Sequence, residues 1–184
     1  QIGRQISARA LGKSVPGMTV NRYCASGLET ISIAAGKIAA GMGDIYIAGG
    51  TESMSMIPMT GYKLAPSYEV AVENPNYLIG MGLTAEAVAN KYNVSRENQD
   101  EFAYNSHRKA ANALENDYFQ KSIVPVDVKQ VWVEDNERQE RSFKMHKDEG
   151  VRTDTSVEAL SRLRPVFAKG GSVTAGNSSQ TSDG

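Results

Sequence analysis

The sequence predicts an α/β fold, and three observations carry that prediction. An apolar strand, a helix lined with small residues and a second apolar strand follow one another within Met18–Ala48. Their span, about 30 residues, is that of one right-handed crossover between parallel strands. Charge is unevenly spread: residues 1–59 carry 8 charged side chains, whereas the 21 residues Glu134–Asp154 carry 12. The first region therefore reads as a buried layer and the second as a solvated excursion from the main body.

The elements follow in order. Gln1–Leu11 carries Ile2, Ile6, Ala10 and Leu11 at helical spacing and stops at Gly12, a residue suited to a helix C-terminus. Ser14-Val15-Pro16-Gly17 turns the chain, and Met18-Thr19-Val20 is a short apolar strand. Ser26–Ala40 is a helix with Leu28, Ile31, Ala34, Ala35, Ile38 and Ala39 on its inward stripe. Asp44–Ala48 is the second strand, closed by Gly49-Gly50. Residues 53–82 mix proline, methionine and glycine without a period and read as loops. Leu83–Tyr92 is a helix capped by Thr84 or the residues just before it. Ser95 caps a second one, running to about Asn116 and burying Phe102, Ala103, Ala110, Ala113 and Leu114. Acids at Glu97, Asp100 and Glu101 suit the start of that helix. Ile123–Val126 is an edge strand because of Pro125. Val131-Trp132-Val133 pairs with Ser142–Met145 as a hairpin, Thr155–Leu163 is a short helix, and Ser172–Gly176 is a final strand.

Composition narrows the function classes. The 184 residues are 40% hydrophobic and 22% charged, ordinary for a soluble globular chain. With 20 basic and 21 acidic residues the net charge is −1, which argues against a bulk electrostatic nucleic-acid binder. No apolar run is long enough to span a membrane. The N-terminus, Gln1-Ile2-Gly3-Arg4, has no signal-peptide pattern and begins as though cut from a longer chain. The single cysteine excludes an internal disulfide and fits a reducing compartment.

That cysteine is the one candidate nucleophile. Cys24 stands between the strand Met18–Val20 and the helix starting near Ser26. Free backbone N–H groups and the positive end of the macrodipole favour a thiolate there, the reactive form of the residue. Ala25, Ser26 and Gly27 are small enough to leave room for an acyl group. Ligands of open α/β sheets also bind at the carboxyl ends of strands. The competing reading is an inert buried thiol, and local context leaves the two level. A catalytic cysteine needs a base, usually His. His107 falls on the charged face of a helix and His146 in the most charged segment, both as solvated residues. The proton acceptor is therefore expected outside these residues. A redox-sensing thiol is disfavoured because no resolving cysteine exists. Gly41-Met42-Gly43 and Gly80-Met81-Gly82 are too bare for a dinucleotide loop.

Four ordered stretches then carry a resemblance. They are Val20–Glu29, around Cys24; Ile47–Ser55, the second strand and its glycine turn; Met81–Glu86; and Thr174–Gly184. Together they resemble the thiolase family, the first matching its acyl-enzyme signature. Thiolases that form acetoacetyl-CoA usually place His before the methionine matching Met81, where this sequence has Gly80. The resemblance is accordingly nearest the 3-ketoacyl-CoA thiolases of fatty-acid β-oxidation.

The resemblance implies a thiolase-like N-terminal core, partial βαβ, with an inserted mostly helical loop domain. The core is expected at residues 1–59, the inserted CoA-binding loop domain at 60–164, and a return to the core at 165–184. Implied too are Cys24 as the acyl-accepting nucleophile and Met81, Arg152, Phe167 and Ser179 as CoA or substrate contacts. Each of these four has a plainer reading, as packing, a solvated charge or a loop hydroxyl. Coenzyme A enters as substrate, with no metal and no permanently bound cofactor, and acyl-CoA and CoA are the partners. Full-length members are homodimers or homotetramers. Bacterial cytoplasm is the expected compartment, with mitochondria and peroxisomes also hosting the family. The family's catalytic His, second Cys and Asn-Glu motif lie in a second half that these residues do not match, so a fragment unable to complete turnover is expected. The alternatives are an acetoacetyl-CoA thiolase, a carrier-protein-related homologue, and a catalytically incomplete CoA-binding module.

Overall fold

A computed structural model describes residues 1–184, which fall into two units: Gln1–Leu64 with Thr181–Gly184, and Ala65–Gln180.

The first unit begins with helix α1 (Ile2–Ala10), which ends at Leu11 before Gly12 at φ +92°. A side chain at Gly3 would strike the Met18 carbonyl, and one at Gly17 would strike the Ser7 hydroxyl and the Gly3 carbonyl. The two glycines let α1 lie backbone to backbone against residues 16–19. Arg4 reinforces the turn, its Nη1 donating to the Val15 carbonyl at 2.6 Å and its Nη2 to that of Lys13 at 3.1 Å. Helix α2 (Ser26–Ala39) stands where its pattern predicts.

The flanking strands do not form. Met18–Val20 and Asp44–Ala48 run without ladder partners, so neither is a β-strand. A strand exists only by pairing, and no segment of this unit offers these two a hydrogen-bonded neighbour. The apolar stripes lack a covering layer for the same reason: Leu28 is 74% exposed and Ile45 89%, and Ile2, Ile6, Ile31 and Ile38 are exposed with them. The expected burial of those stripes is not met within these residues. The unit closes through its last residues. The Gly184 N–H donates to the Glu52 carbonyl at 2.9 Å, the Glu52 N–H returns a bond to Gly184, and Thr51 Oγ1 donates to the Gly184 carbonyl at 3.0 Å. Ser55 donates from both N–H and hydroxyl to the Asp183 carboxylate, at 2.8 and 2.5 Å.

The second unit holds more structure than its sequence suggests. Residues 65–80, read as loops, contain helix α3 (Tyr68–Glu73) and a 3-10 turn at Pro75–Leu78. Helix α4 (Met81–Tyr92) has Gly80 rather than Thr84 at its N-cap; Thr84 instead donates its hydroxyl to the Gly80 carbonyl at 3.2 Å. The helix ends at Asn93 in the left-handed region. Helix α5 (Arg96–Glu115) is capped as predicted, the Ser95 hydroxyl accepting from the Asn98 N–H at 3.2 Å. It buries Ala113 and half-buries Ala103, Ala110 and Leu114, but Phe102 is 79% exposed. Helix α6 (Val157–Ser161) is shorter than expected and is capped by Ser156.

Strands β1 (Val126–Glu134) and β2 (Glu137–Met145) form an antiparallel hairpin, β1 starting immediately after Pro125. The register differs from the expected pairing. Val131 faces Glu140 and Val133 faces Arg138, whereas Ser142–Met145 face Lys129–Val126. The two-residue turn sets this, because Asp135 and Asn136 have φ of 52° and 62°, the type I′ pattern. Cross-strand pairs Lys129–Glu140 at 3.0 Å and Asp127–Lys144 at 3.1 Å line one face. Asn136→Gly should therefore stabilise the hairpin by about 0.5 kcal/mol, because glycine adopts positive φ without strain. A rise in melting temperature checks this.

Residues 172–176 are not the expected strand either. Val173 and Thr174 are buried, yet their N–H groups are met by side chains rather than by a neighbouring strand. The Glu86 carboxylate, on α4, accepts from the N–H groups of Ser172 and Val173 and from the Ser172 hydroxyl, at 2.9–3.1 Å. Asn177 Oδ1 accepts from the Thr174 N–H at 2.7 Å, and its Nδ2 donates to Asp100 Oδ1 at 2.9 Å and the Ser172 carbonyl at 3.1 Å. Asp100, 1% exposed on α5, also receives Arg96 Nε at 2.7 Å. Arg96 Nη2 goes on to the Leu160 and Leu163 carbonyls at the end of α6. Leu160 and Val173 supply the apolar part of this core. The second unit is thus joined by a satisfied polar network, with no buried side-chain nitrogen or oxygen left without a partner.

Candidate active site

Cys24 is exposed and lies one residue before Ala25, the N-cap of α2. The turn that presents it is tightly bonded. The Ala25 N–H donates to the Arg22 carbonyl at 3.1 Å and the Ser26 N–H to that of Tyr23 at 3.0 Å. Ser26 Oγ donates to the Tyr23 carbonyl at 2.6 Å and accepts the Arg22 N–H at 2.8 Å. Asn21 Oδ1 accepts the Tyr23 N–H at 2.9 Å. These bonds hold Tyr23 at φ +50°, a left-handed conformation that costs a non-glycine residue about 1–2 kcal/mol. Strain of this kind, overdetermined by its neighbours, typically gathers at functional turns. Arg22 pairs with Glu29, one turn into the helix.

The start of α2 has no side-chain cap, so its first N–H groups are not occupied by a side-chain oxygen. A Cβ placed on Gly27 meets nothing within 4 Å, leaving space over the helix end. An exposed sulfur beside uncapped N–H donors and open space is a site able to take an acyl group and polarise its carbonyl.

The other four predicted residues lie in the second unit. Met81 is the first residue of α4 and 67% exposed. Phe167, 45% exposed, lays its ring against Gly82, where any side chain would overlap it. The fold thus brings Met81 and Phe167 to one place through the missing side chain of residue 82. Gly82→Ala should push the ring away and cost about 1 kcal/mol net, the overpacking penalty exceeding alanine's gain in helix propensity. Denaturant unfolding reads the loss. Ser179 is exposed and donates its hydroxyl to the Gln180 carbonyl at 3.3 Å. Arg152 is exposed in the segment between β2 and α6, with Nε 3.6 Å from Asp154 Oδ1. Its backbone N–H donates to Nδ1 of His107 at 3.2 Å. His107 is half-buried on α5 and so is not the freely solvated residue expected. His146 remains local, its Nδ1 3.1 Å from the Lys144 carbonyl.

Sequence reasoning missed the polar network. Glu86 and Asn177 lie inside two of the stretches that resemble thiolases, and the fold explains why those stretches go together. Residues 81–86 are tied to 172–173 through Glu86, and residues 51–55 to 183–184 through Ser55 and Asp183. Burial opposes ionisation of Glu86, but the Val173 and Ser172 donors outweigh it and hold its carboxyl below the ordinary 4.5. The Ser55 hydroxyl and N–H likewise lower Asp183.

Residues 2–184 match the thiolase N-terminal domain. The chain belongs to the thiolase family. It is 52% identical over 185 residues to a 3-ketoacyl-CoA thiolase of Bacillus subtilis, covering 100% of this chain and 47% of that protein. To a probable acetyl-CoA acyltransferase of Staphylococcus aureus it is 44% identical, over 95% of this chain and 46% of the other. Two crystal structures share its fold. The dimeric peroxisomal thiolase of Saccharomyces cerevisiae superposes with a TM-score of 0.80 at 36% identity, over 96% of this chain and 43% of that one. The acetyl-CoA acetyltransferase of Bacillus anthracis gives 0.76 at 38% identity, over 98% and 47%. The chain spans about half the length of the curated relatives it matches. No helix of this thiolase-family chain is long and apolar enough to cross a membrane.

Proposed function

We propose that the protein carries the acyl-accepting half of a thiolase reaction, the CoA-dependent cleavage of a 3-ketoacyl-CoA in fatty-acid β-oxidation. The observation that carries this reading is the exposed Cys24, held by a strained and fully bonded turn at the uncapped start of α2, inside a chain of this family. The Cys24 sulfur attacks the keto carbon, and the bond between that carbon and the next breaks. The departing carbanion takes a proton and leaves as acetyl-CoA, while the acyl group stays on the sulfur as a thioester. The thiol of a second CoA then displaces Cys24, taking the acyl group and returning a proton. The product is an acyl-CoA two carbons shorter.

In this reading residues 1–59 and 165–184 belong to the catalytic core and 60–164 form the inserted CoA-binding domain. Phe167 and Ser179 line the path of the pantetheine arm, Met81 stands near the reacting thioester, and the Arg152 guanidinium meets the adenine and phosphate end. In this reading the groups that move protons are the catalytic His and second Cys that the family carries in its other half, which these residues do not match. CoA is substrate, and no bound cofactor is required. The dimeric yeast structure supports a homo-oligomeric enzyme, and the bacterial source of the relatives fits the bacterial cytoplasm as its compartment.

The test is to give the intact protein CoA with 3-ketoacyl-CoAs of short and long chains. Products two carbons shorter from long substrates are expected. Cleavage confined to acetoacetyl-CoA would favour the acetyl-transferring alternative suggested by the Bacillus anthracis structure. CoA binding without acyl transfer would leave only a binding module. The 184 residues by themselves are not expected to complete turnover.

A further inference from the structure

We propose that His107 is a positioning residue for coenzyme A, acting through the backbone of Arg152; this rests on the reading of Arg152 as a CoA contact. The segment from His146 to Ser156 joins β2 to α6 and contains no helix or strand. Its course is set by the groups it touches rather than by its own hydrogen-bond ladder. Two of these stand out. At Gly150 any side chain would overlap the amide of Gln180, so the backbone there lies directly on that side chain, next to Ser179. Two residues on, the Arg152 N–H donates to His107 Nδ1 at 3.2 Å, tying the segment to α5.

α5 is a 20-residue helix anchored in the buried core through Asp100 and Ala113. His107 projects from that rigid element, half-buried, and offers an acceptor at one fixed place. The acceptor is Nδ1, so the ring proton resides on Nε2. The Arg152 side chain itself is 70% exposed, and its ion pair with Asp154 at 3.6 Å stays within the same segment. Nothing in that pair fixes where the segment lies. The His107 bond does, and it places the guanidinium where a ligand can meet it already oriented, lowering the ordering cost of binding.

Replacing His107 should therefore weaken CoA binding without touching the chemistry at Cys24. In the intact protein, His107→Leu is expected to raise the CoA dissociation constant by roughly two- to ten-fold, the worth of one hydrogen bond. The rate of acyl transfer to Cys24 at saturating acyl-CoA should be unchanged. His107→Asn keeps an acceptor oxygen near the Nδ1 position and should restore affinity to within about twofold. On an Arg152→Ala background, His107→Leu should add little, because the two act through one contact. Calorimetric titration with CoA reads the unmodified protein and all four variants.

Unchanged affinity in His107→Leu, no rescue by His107→Asn, or full additivity with Arg152→Ala would each overturn the proposal. An unmodified protein that binds no CoA would overturn the underlying reading as well. Native binding with an indifferent His107→Leu removes only the role of His107.

Discussion

Cys24→Ser is expected to lower acyl transfer by about a thousand-fold or more and to change the affinity for CoA by no more than about twofold. The size of the effect follows from what the substitution removes. Serine keeps the hydrogen-bonding shape of the turn, and the bonds that hold Tyr23 and Ser26 are made by other atoms. Only the sulfur is lost, and with it the proposed nucleophile. A hydroxyl is a far weaker nucleophile than a thiolate, and an ester would hand its acyl group to a second thiol less readily than a thioester. The CoA contacts proposed at Met81, Arg152, Phe167 and Ser179 are untouched by the change. Acylation kinetics and calorimetry on the same two proteins separate the effects. A serine variant that turned over normally would remove Cys24 from the mechanism.

Glu86→Ala is the largest expected loss of stability, about 3–5 kcal/mol. The carboxylate is 6% exposed and accepts from the Ser172 N–H, the Ser172 hydroxyl and the Val173 N–H. Alanine leaves these donors buried without an acceptor, at about 1–3 kcal/mol for each that finds no water. Glu86→Gln costs less, because its amide oxygen still accepts, but the new NH2 faces donors. The same contacts predict a pH dependence. In the unfolded chain Glu86 takes up its proton near 4.5, and in the folded protein only at lower pH. The unfolded state therefore binds the proton first as pH falls. The contribution of Glu86 is complete above about pH 5 and is lost as pH drops below 4.5 through the folded value. Denaturant melts of native and Glu86→Gln protein across this range should converge at the acid end. A difference that persists unchanged to the lowest pH would mean the carboxylate is not the form being stabilised.

What the sequence discloses about this fold depends on where the stabilising partners are. Helix α2 and the Ser95 cap of α5 were legible because spacing and capping chemistry are local to a few residues. The hairpin is legible but its register is not, because Asp135-Asn136 lacks the glycine that marks a type I′ turn most strongly. The segments Met18–Val20 and Asp44–Ala48 have the composition of strands, and composition cannot supply a neighbour to pair with. Ser172–Gly176 fails for a different reason: the N–H groups of residues 172–174 are met by Glu86 and Asn177, side chains that charge and polarity place on the surface. Asp100 misleads in the same way, reading as a helix-dipole acid while it lies buried against Arg96 and Asn177.

At the candidate site, the position of Cys24 ahead of a helix could be read directly. Tyr23 at positive φ could not, because nothing in its side chain favours that conformation and only the surrounding bonds impose it. His107 is not legible because its helix face looks charged, whereas its partner is a backbone N–H 45 residues away.

The most direct measurement is peptide mass spectrometry of the intact protein after brief exposure to a 3-ketoacyl-CoA without free CoA. One acyl group on Cys24, removed again when CoA is added, is the predicted result. A protein that stays unmodified at Cys24, or a modification that added CoA fails to discharge, would contradict acyl transfer through this thiol.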